Sequence, residues 1–302
     1  MKKFVIITDS CSDLEKELRQ KYDIDYIPMR MIHNGNDYPA DLDWKDIPVK
    51  RFYDLMREGN RITTAQITVH VYREVFEKYI KEGYDVLSIS CSSALSASVL
   101  ASMTARDELL KIYTESKIIC IDSLNACYGL GILCITASEL RAEGKTIEET
   151  AQWLEENKLK MNQECTPEKL SYLKQAGRVS AASAFFGGLL NIKPIIISDA
   201  KGQNFAIEKV KGRAASIERL VQRFSEEFEE DFPYQKIFVG HGDSLLSAEE
   251  LKTAVSKVVF EKTGKLSEIH TGYIGPIVGA SCGPGTIVVY FFGKEVTVNK
   301  EC

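Results

Sequence analysis

The sequence lacks a Cys-x-x-Cys pair, although it carries eight cysteines, at positions 11, 91, 120, 127, 134, 165, 282 and 302. That absence argues against a zinc knuckle and against thioredoxin-like redox chemistry. Only four histidines occur, His33, His70, His241 and His270, and no two stand at i, i+4, so no histidine pair is set to hold a metal. A G-x-S-x-G elbow, which would expose a catalytic serine, is also missing. No apolar run is long enough to span a bilayer. Phe4–Ile7, behind Lys2 and Lys3, is far too short for the core of a signal peptide. Nor is there a basic excess: 38 Lys+Arg against 43 Asp+Glu give a net charge of −5, which offers no reason to bind nucleic acid or an anionic membrane. These absences predict a cytoplasmic protein with reduced thiols, no metal and no cofactor. A membrane-derived ligand would have to be carried in its interior.

A nucleotide site is missing as well. Gly144-Lys145-Thr146 resembles the end of a phosphate-binding loop, but position 139, where that loop needs glycine, is Glu. The stretch follows a helical pattern, and Thr146-x-x-Glu149 makes a capping box. It reads as a helix stop followed by a helix start.

What the sequence does have is a regular alternation of elements. At roughly 150 residues per domain, 302 residues predict two domains. A composition of 44% hydrophobic and 27% charged residues fits a globular protein with a sizeable core. Strands are expected at Phe4–Thr8, Tyr26–Ile32, Val86–Ser90 and Ile118–Ile121. Helices are expected at Asp13–Tyr22, with a Ser12-x-x-Glu15 box, and at Val49–Arg57, Val71–Lys81, Leu95–Ile112 and Ala126–Leu140. Strands alternating with helices imply a parallel sheet covered on both faces. In the second half, a helix is expected to start at Thr166-Pro167-Glu168 and another to be capped by Ser247-x-x-Glu250. Strands are expected at Lys193–Ser198, Phe205–Val210 and Lys236–Gly240, and the stretches Glu268–Val278 and Thr286–Gly293 read as strand-rich. The small apolar run Ala181–Leu190, with Gly187-Gly188, suits close packing. The expected domains are 1–160 and 161–302, with the change in a polar stretch near Lys158–Glu164.

One cluster stands out chemically: Ser88-Ile-Ser90-Cys-Ser92-Ser93-Ala-Leu-Ser96-Ala-Ser98, between an expected strand and an expected helix. Ligands of open parallel sheets bind at the carboxyl ends of strands, and free N–H groups at a helix start suit an anion. Ordinary capping is the plainer explanation. The loop Arg61–Thr68, with Thr63, Thr64 and Thr68, and the segment Asp9-Ser10-Cys11-Ser12 are also explained by capping. The latter falls on the same sheet edge. His241 has no nucleophile at a paired spacing. Ile274-Gly275-Pro276 and Gly283-Pro284-Gly285, flanking Ser281-Cys282, read as two turns at strand ends.

Together these motifs resemble the DegV family, which includes the fatty-acid-binding subunits of bacterial fatty-acid kinases. The resemblance runs from Ile7-Thr-Asp-Ser10 to Gly283-Pro-Gly-Thr286. It is most specific in Tyr172-Leu-Lys-Gln-Ala-Gly-Arg178-Val-Ser180 and Leu189-Leu-Asn-Ile-Lys-Pro-Ile195, with Thr64-Ala-Gln66, Ser92-Ser-Ala-Leu-Ser96, Ile121-Asp-Ser123 and Ile274-Gly-Pro276 in support. It implies an N-terminal three-layer α/β/α parallel-sheet domain carrying the head-group site. It also implies a smaller C-terminal α+β domain completing the acyl-chain pocket. The implied ligand is a long-chain fatty acid such as palmitate, its chain buried and its carboxylate held by Thr64 and Ser96, with Ser93 as the other candidate. Arg178, in the Gly-Arg-Val-Ser segment, is the candidate contact for a phosphate or a partner, a structural salt bridge being the other reading; the implied partner is a separate kinase, so the chain itself is no enzyme. Two departures stand out. Thr64-Ala65-Gln66 replaces a Thr-Ser-Gln pattern, and Ala280-Ser281-Cys282 replaces Thr-His-Thr, so Ser281 offers a hydroxyl in place of an imidazole. Two rivals remain open. One is a hydrolase or transferase using the serine-rich loop or Cys91, although no motif supplies the base such a nucleophile needs. The other is a regulatory module using lipid as a structural filler.

Overall fold

The computed structural model describes residues 3–179 and 191–299. The chain divides into two compact units: Met1–Asp46 with Thr63–Lys158 and Gly275–Ile277, and Ile47–Ile62 with Leu159–Ile274 and Val278–Cys302. The two are of similar length, because the second takes in a helix from the first half of the sequence.

In the first unit, β1 (Phe4–Asp9) runs into a 3-10 turn at Ser10–Ser12, α1 (Lys16–Lys21) and β2 (Ile24–Ile27). The short strands β3 (Arg30–His33), β4 (Asn36–Pro39) and β5 (Ile62–Ala65) form a small sheet in the order β4-β3-β5. Helix α2 (Val49–Arg57), between β4 and β5 in sequence, lies in the second unit. Next come α3 (Val69–Lys81), β6 (Asp85–Ser90), α4 (Ser98–Leu109), β7 (Ile118–Asp122), α5 (Cys127–Ala142) and α6 (Ile147–Asn157). The main sheet has the order β2-β1-β6-β7, all parallel, with Ile7 opposite Ser88 and Ser90 opposite Asp122. All six residues of β6 are buried. Since alternate side chains leave opposite faces of a strand, both faces of the sheet are covered. The pair α3–α4 and the pair α5–α6 supply that cover. Helix α5 is buried nearly all round, as its apolar sequence predicts.

The second unit contains β8 (Met161–Thr166), α7 (Ser171–Ala176), β9 (Ile192–Ser198), β10 (Asn204–Lys211), α8 (Arg213–Glu227), β11 (Ile237–His241), α9 (Leu245–Thr263), β12 (Ile269–Tyr273), β13 (Ile287–Phe292) and all of α10 (Pro276–Cys282) but its first two residues, which belong to the first unit. Its sheet has the order β10-β9-β8-β13-β11-β12, antiparallel except for β11 with β12. Helices α8 and α9 close one face over Leu220, Phe224, Val255, Val289 and Phe291. The Phe224 ring stacks on Phe228 at 4.8 Å and meets Phe291 edge-on at 4.6 Å, a geometry aromatic pairs favour.

Several boundaries differ from the sequence reading. The strand expected over Tyr26–Ile32 is two, because Pro28 has no N–H to give a sheet ladder. The Ser12-x-x-Glu15 box does not form. Asp13 turns left-handed (φ 54°), α1 starts only at Lys16, and Glu15 accepts from the Tyr128 hydroxyl. The turn presses so closely on α5 that a Cβ on Gly131 would come within 2.8 Å of the Ser12 carbonyl oxygen. The Thr146–Glu149 box does form, with both reciprocal bonds in place (3.1 and 2.8 Å). Thr166 ends a strand and does not start a helix. Glu168 lies beyond it, bound to Lys193 and Arg213. Helix α9 starts at Leu245, two residues before the expected cap Ser247, because the Ser244 N–H already bonds His241 Nδ1 at 3.2 Å. In the strand-rich stretch Glu268–Val278 the strand stops at Tyr273 and gives way to α10, which Pro276 opens. The run Ala181–Leu190, together with Ser180 and Cys302, lies outside the described residues.

Candidate functional site

At the carboxyl edge of the parallel sheet, strand ends and turns are tied by buried polar groups. The Asp9 carboxylate is completely buried and accepts two backbone N–H groups, from Cys11 (2.9 Å) and Cys91 (2.8 Å). It thereby clamps the ends of β1 and β6. Burial raises its pKa, while the two N–H donors oppose the rise. Ser92, also fully buried, organises the turn after β6. Its carbonyl accepts from Leu95 and Ser96 N–H (both 2.9 Å), and its hydroxyl accepts from Ala94 N–H (3.2 Å). Asp122, ending β7, accepts from Ser93 N–H and Leu124 N–H (both 3.1 Å).

These bonds change the donor inventory expected of the site. The backbone N–H groups of Ser93, Ala94, Leu95, Ser96 and Ser98 are all taken up within the edge itself. No free amide is left at these positions, and the donors that remain there are side-chain hydroxyls. Ser93 is exposed and Ser96 half-buried; both stand ahead of α4, which starts at Ser98 rather than Leu95. Thr64 is half-buried on β5, a short strand where a loop was expected, and Thr68 caps α3 through Val71 N–H. The turn and the threonine segment are joined by one serine. Ser98 Oγ accepts from Ile67 N–H at 3.2 Å and lies 3.0 Å from Ser96 Oγ.

Cys91, the thiol a nucleophilic mechanism would need, is poorly suited to it. A hydrogen bond from Cys11 favours its thiolate, but burial and the charges of Asp9, Asp122 and Asp13 outweigh that and raise its pKa. Asp13 is the other buried acid here. Among the described residues neither of its oxygens has a partner at normal hydrogen-bond geometry, although the Cys127 thiol and the Gly275 N–H favour the ionised form. Burial pushes its pKa up to about 8. A Cβ on Gly275 would stand 2.2 Å from Asp13 Oδ1, so only glycine fits there.

Ser281 and Arg178 belong to the second unit. Ser281 is half-buried in α10, and Gly283 behind it packs under the Tyr172 ring, which a Cβ would meet at 2.3 Å. Arg178 is exposed after α7. Its N–H bonds the Leu173 carbonyl at 3.1 Å, and its carbonyl accepts from Asn204 at 3.0 Å. His241 is buried against Tyr273, ring to ring at 4.4 Å, in a structural setting. Among the described residues no helix is long and apolar enough to cross a membrane, and no three metal-ligating side chains stand together. In the sequence alone Asp9 is explained by capping, Ser98 is one serine of the cluster and Asp122 one residue of a motif, neither with a role of its own, and Asp13 is merely the start of an expected helix. A Ser at a helix start and an Asp at a strand end carry no signal of partners tens of residues away.

Fold and edge together define a two-unit α/β protein with a parallel-sheet edge lined by hydroxyl donors. The family model described as "Uncharacterised protein, DegV family" matches residues 3–294, and this chain belongs to the DegV family. A DegV domain-containing protein of Clostridium perfringens is 36% identical over 97% of this chain and 98% of its own. Among solved structures, a DegV lipid-binding protein from Thermotoga maritima is similar with a TM-score of 0.82 at 26% identity, covering 98% of this chain and 100% of that one. DegV of Bacillus subtilis, described as a fatty-acid-binding protein, is similar with a TM-score of 0.80 at 25% identity, covering 97% of this chain and 100% of that one.

Proposed function

We propose that this protein binds one long-chain fatty acid such as palmitate. The acyl chain is buried in the protein, and the carboxylate is held by the hydroxyls of Thr64 and Ser96, with Ser93 and Ser281 as further contacts. The observation that carries the reading is the hydroxyl edge at Thr64 and Ser96, on a chain whose structural relatives include a lipid-binding and a fatty-acid-binding DegV protein. A carboxylate accepts hydrogen bonds and donates none, which suits an edge whose remaining donors are hydroxyls. The chain carries its ligand without turning it over. It works in the cytoplasm and presents the acid to a separate fatty-acid kinase, with Arg178 meeting the phosphate or the partner.

Titration of the delipidated protein with palmitate should show uptake of one equivalent; no uptake contradicts the proposal. Arg178→Ala should leave that uptake unchanged. It should lower transfer of phosphate from ATP to the bound acid, with a kinase catalytic protein present, by roughly tenfold or more, as expected when a charged hydrogen bond is lost. Unchanged transfer would remove Arg178 from the presenting surface.

A further inference from the structure

We infer that Ser98, which does not itself face the ligand, fixes the direction of the hydrogen-bond chain at the head-group site and so makes Ser96 a donor, selecting a head group that only accepts. This rests on the fatty-acid reading above and specifies how that site tells a carboxylate from other lipid head groups.

Ser98 is completely buried. Among the described residues its Oγ accepts one hydrogen bond, from Ile67 N–H at 3.2 Å, and makes one more contact, with Ser96 Oγ at 3.0 Å. Either hydroxyl can donate in that contact, and burial decides between the two. If Ser96 donated, the Ser98 hydrogen would be enclosed without an acceptor, and a buried donor left unmade is costly. If Ser98 donates, its hydrogen is satisfied and its oxygen keeps the Ile67 bond. Ser96 Oγ then accepts twice, from Ser98 Oγ–H and from Ser98 N–H at 3.2 Å. A serine hydroxyl has one hydrogen and two lone pairs. With both lone pairs occupied, Ser96 has only its hydrogen left to offer.

Ser96 is half-buried, so that hydrogen can meet a ligand. The chain therefore runs from Ile67 N–H to Ser98 O–H to Ser96 O–H and on to the ligand, and each bond polarises the next. A carboxylate completes it. An ammonium head group presents only donors and opposes it, while an alcohol can do either. The Ile67 link also ties the segment that follows Thr64 to this turn. Ser98 is a positioning residue acting through Ser96.

The test compares delipidated wild type, Ser98→Ala and Ser98→Thr in binding to palmitate, hexadecanol and hexadecylamine. Wild type should rank the acid first and the amine last. Ser98→Ala should weaken palmitate roughly two- to tenfold, the range of an ordinary net hydrogen bond, because Ser96 keeps its hydrogen and loses only the fixed direction of its donation, while leaving hexadecanol nearly unchanged. Ser98→Thr keeps the hydroxyl and should restore the acid-to-alcohol ratio. A merely structural serine would lower acid and alcohol together, and that result overturns the assignment. So does an unchanged ratio in Ser98→Ala. If Ser98→Ala does not fold, Ser98→Cys, close in size but a weak donor, should shift the ratio the same way. Uptake of neither acid nor alcohol by wild type would instead overturn the fatty-acid reading itself.

Discussion

Thr64→Val combined with Ser96→Ala should weaken palmitate binding on the order of a hundredfold while changing the affinity for hexadecanol far less. Two scales decide this. Burying a methylene contributes roughly 0.8 kcal/mol, so about fourteen of them supply on the order of 11 kcal/mol before ordering costs. That contribution is the same for both ligands and cancels in their ratio. A hydrogen bond to a charged group contributes about 1.5–3 kcal/mol net. Two of them give at most about 3–6 kcal/mol, and less in practice because groups sharing one carboxylate are coupled. The hydroxyls therefore set selectivity more than affinity, and a buried carboxylate stripped of donors is costly. Isothermal titration of the delipidated double variant against both ligands measures the effect. Equal losses for acid and alcohol would mean that Thr64 and Ser96 shape the pocket without holding the head group.

A second large effect is expected at Asp13, and it concerns stability. In the unfolded chain an aspartate releases its proton near pH 4. In the folded protein burial pushes the pKa of Asp13 up to about 8. Between those values the folded state holds a proton that the unfolded state has lost, so stability falls as pH rises. The contribution is fully present below about pH 4 and is lost by about pH 8. From pH 5 to 8 this amounts to at most on the order of 4 kcal/mol. Asp13→Asn keeps the shape, tolerates the left-handed backbone at φ 54°, and removes the titration. The variant should match wild type in thermal midpoint near pH 5 and exceed it clearly at pH 8. Parallel curves across that range would show that Asp13 is already ionised, or solvated, in the folded protein.

What the sequence revealed and what it hid divide along one physical line. Patterns within a few residues were legible. Helix α2 occupies the expected Val49–Arg57, the Thr146–Glu149 box forms as expected, and Val86–Ser90 and Ile118–Ile121 are strands. Each depends on periodicity or on a cap that neighbouring residues complete. Ser12-x-x-Glu15 offers the same local signal and fails, because the close approach to Gly131 and the bond from Tyr128 to Glu15 come from a helix more than a hundred residues away. The serine-rich cluster was visible as a candidate anion site, but its donors were not. Only the fold shows that the amides are consumed by Ser92, Asp122 and Ser96, so that hydroxyls remain. The bond from Cys91 to Asp9 spans 82 residues, and the fit of Gly275 against Asp13 links opposite ends of the chain. No spacing rule within the sequence encodes either contact.

The central claim is that the protein holds a fatty acid, and its most direct test needs no variant. The protein is purified from cells without added lipid and denatured, and the released small molecules are identified and quantified by mass spectrometry against the protein. The account predicts about one long-chain fatty acid per chain, bound as the free acid, since carboxylate recognition by hydroxyl donors requires the charged head group. A polar nucleotide in the extract, with no acyl chain beside it, would contradict it.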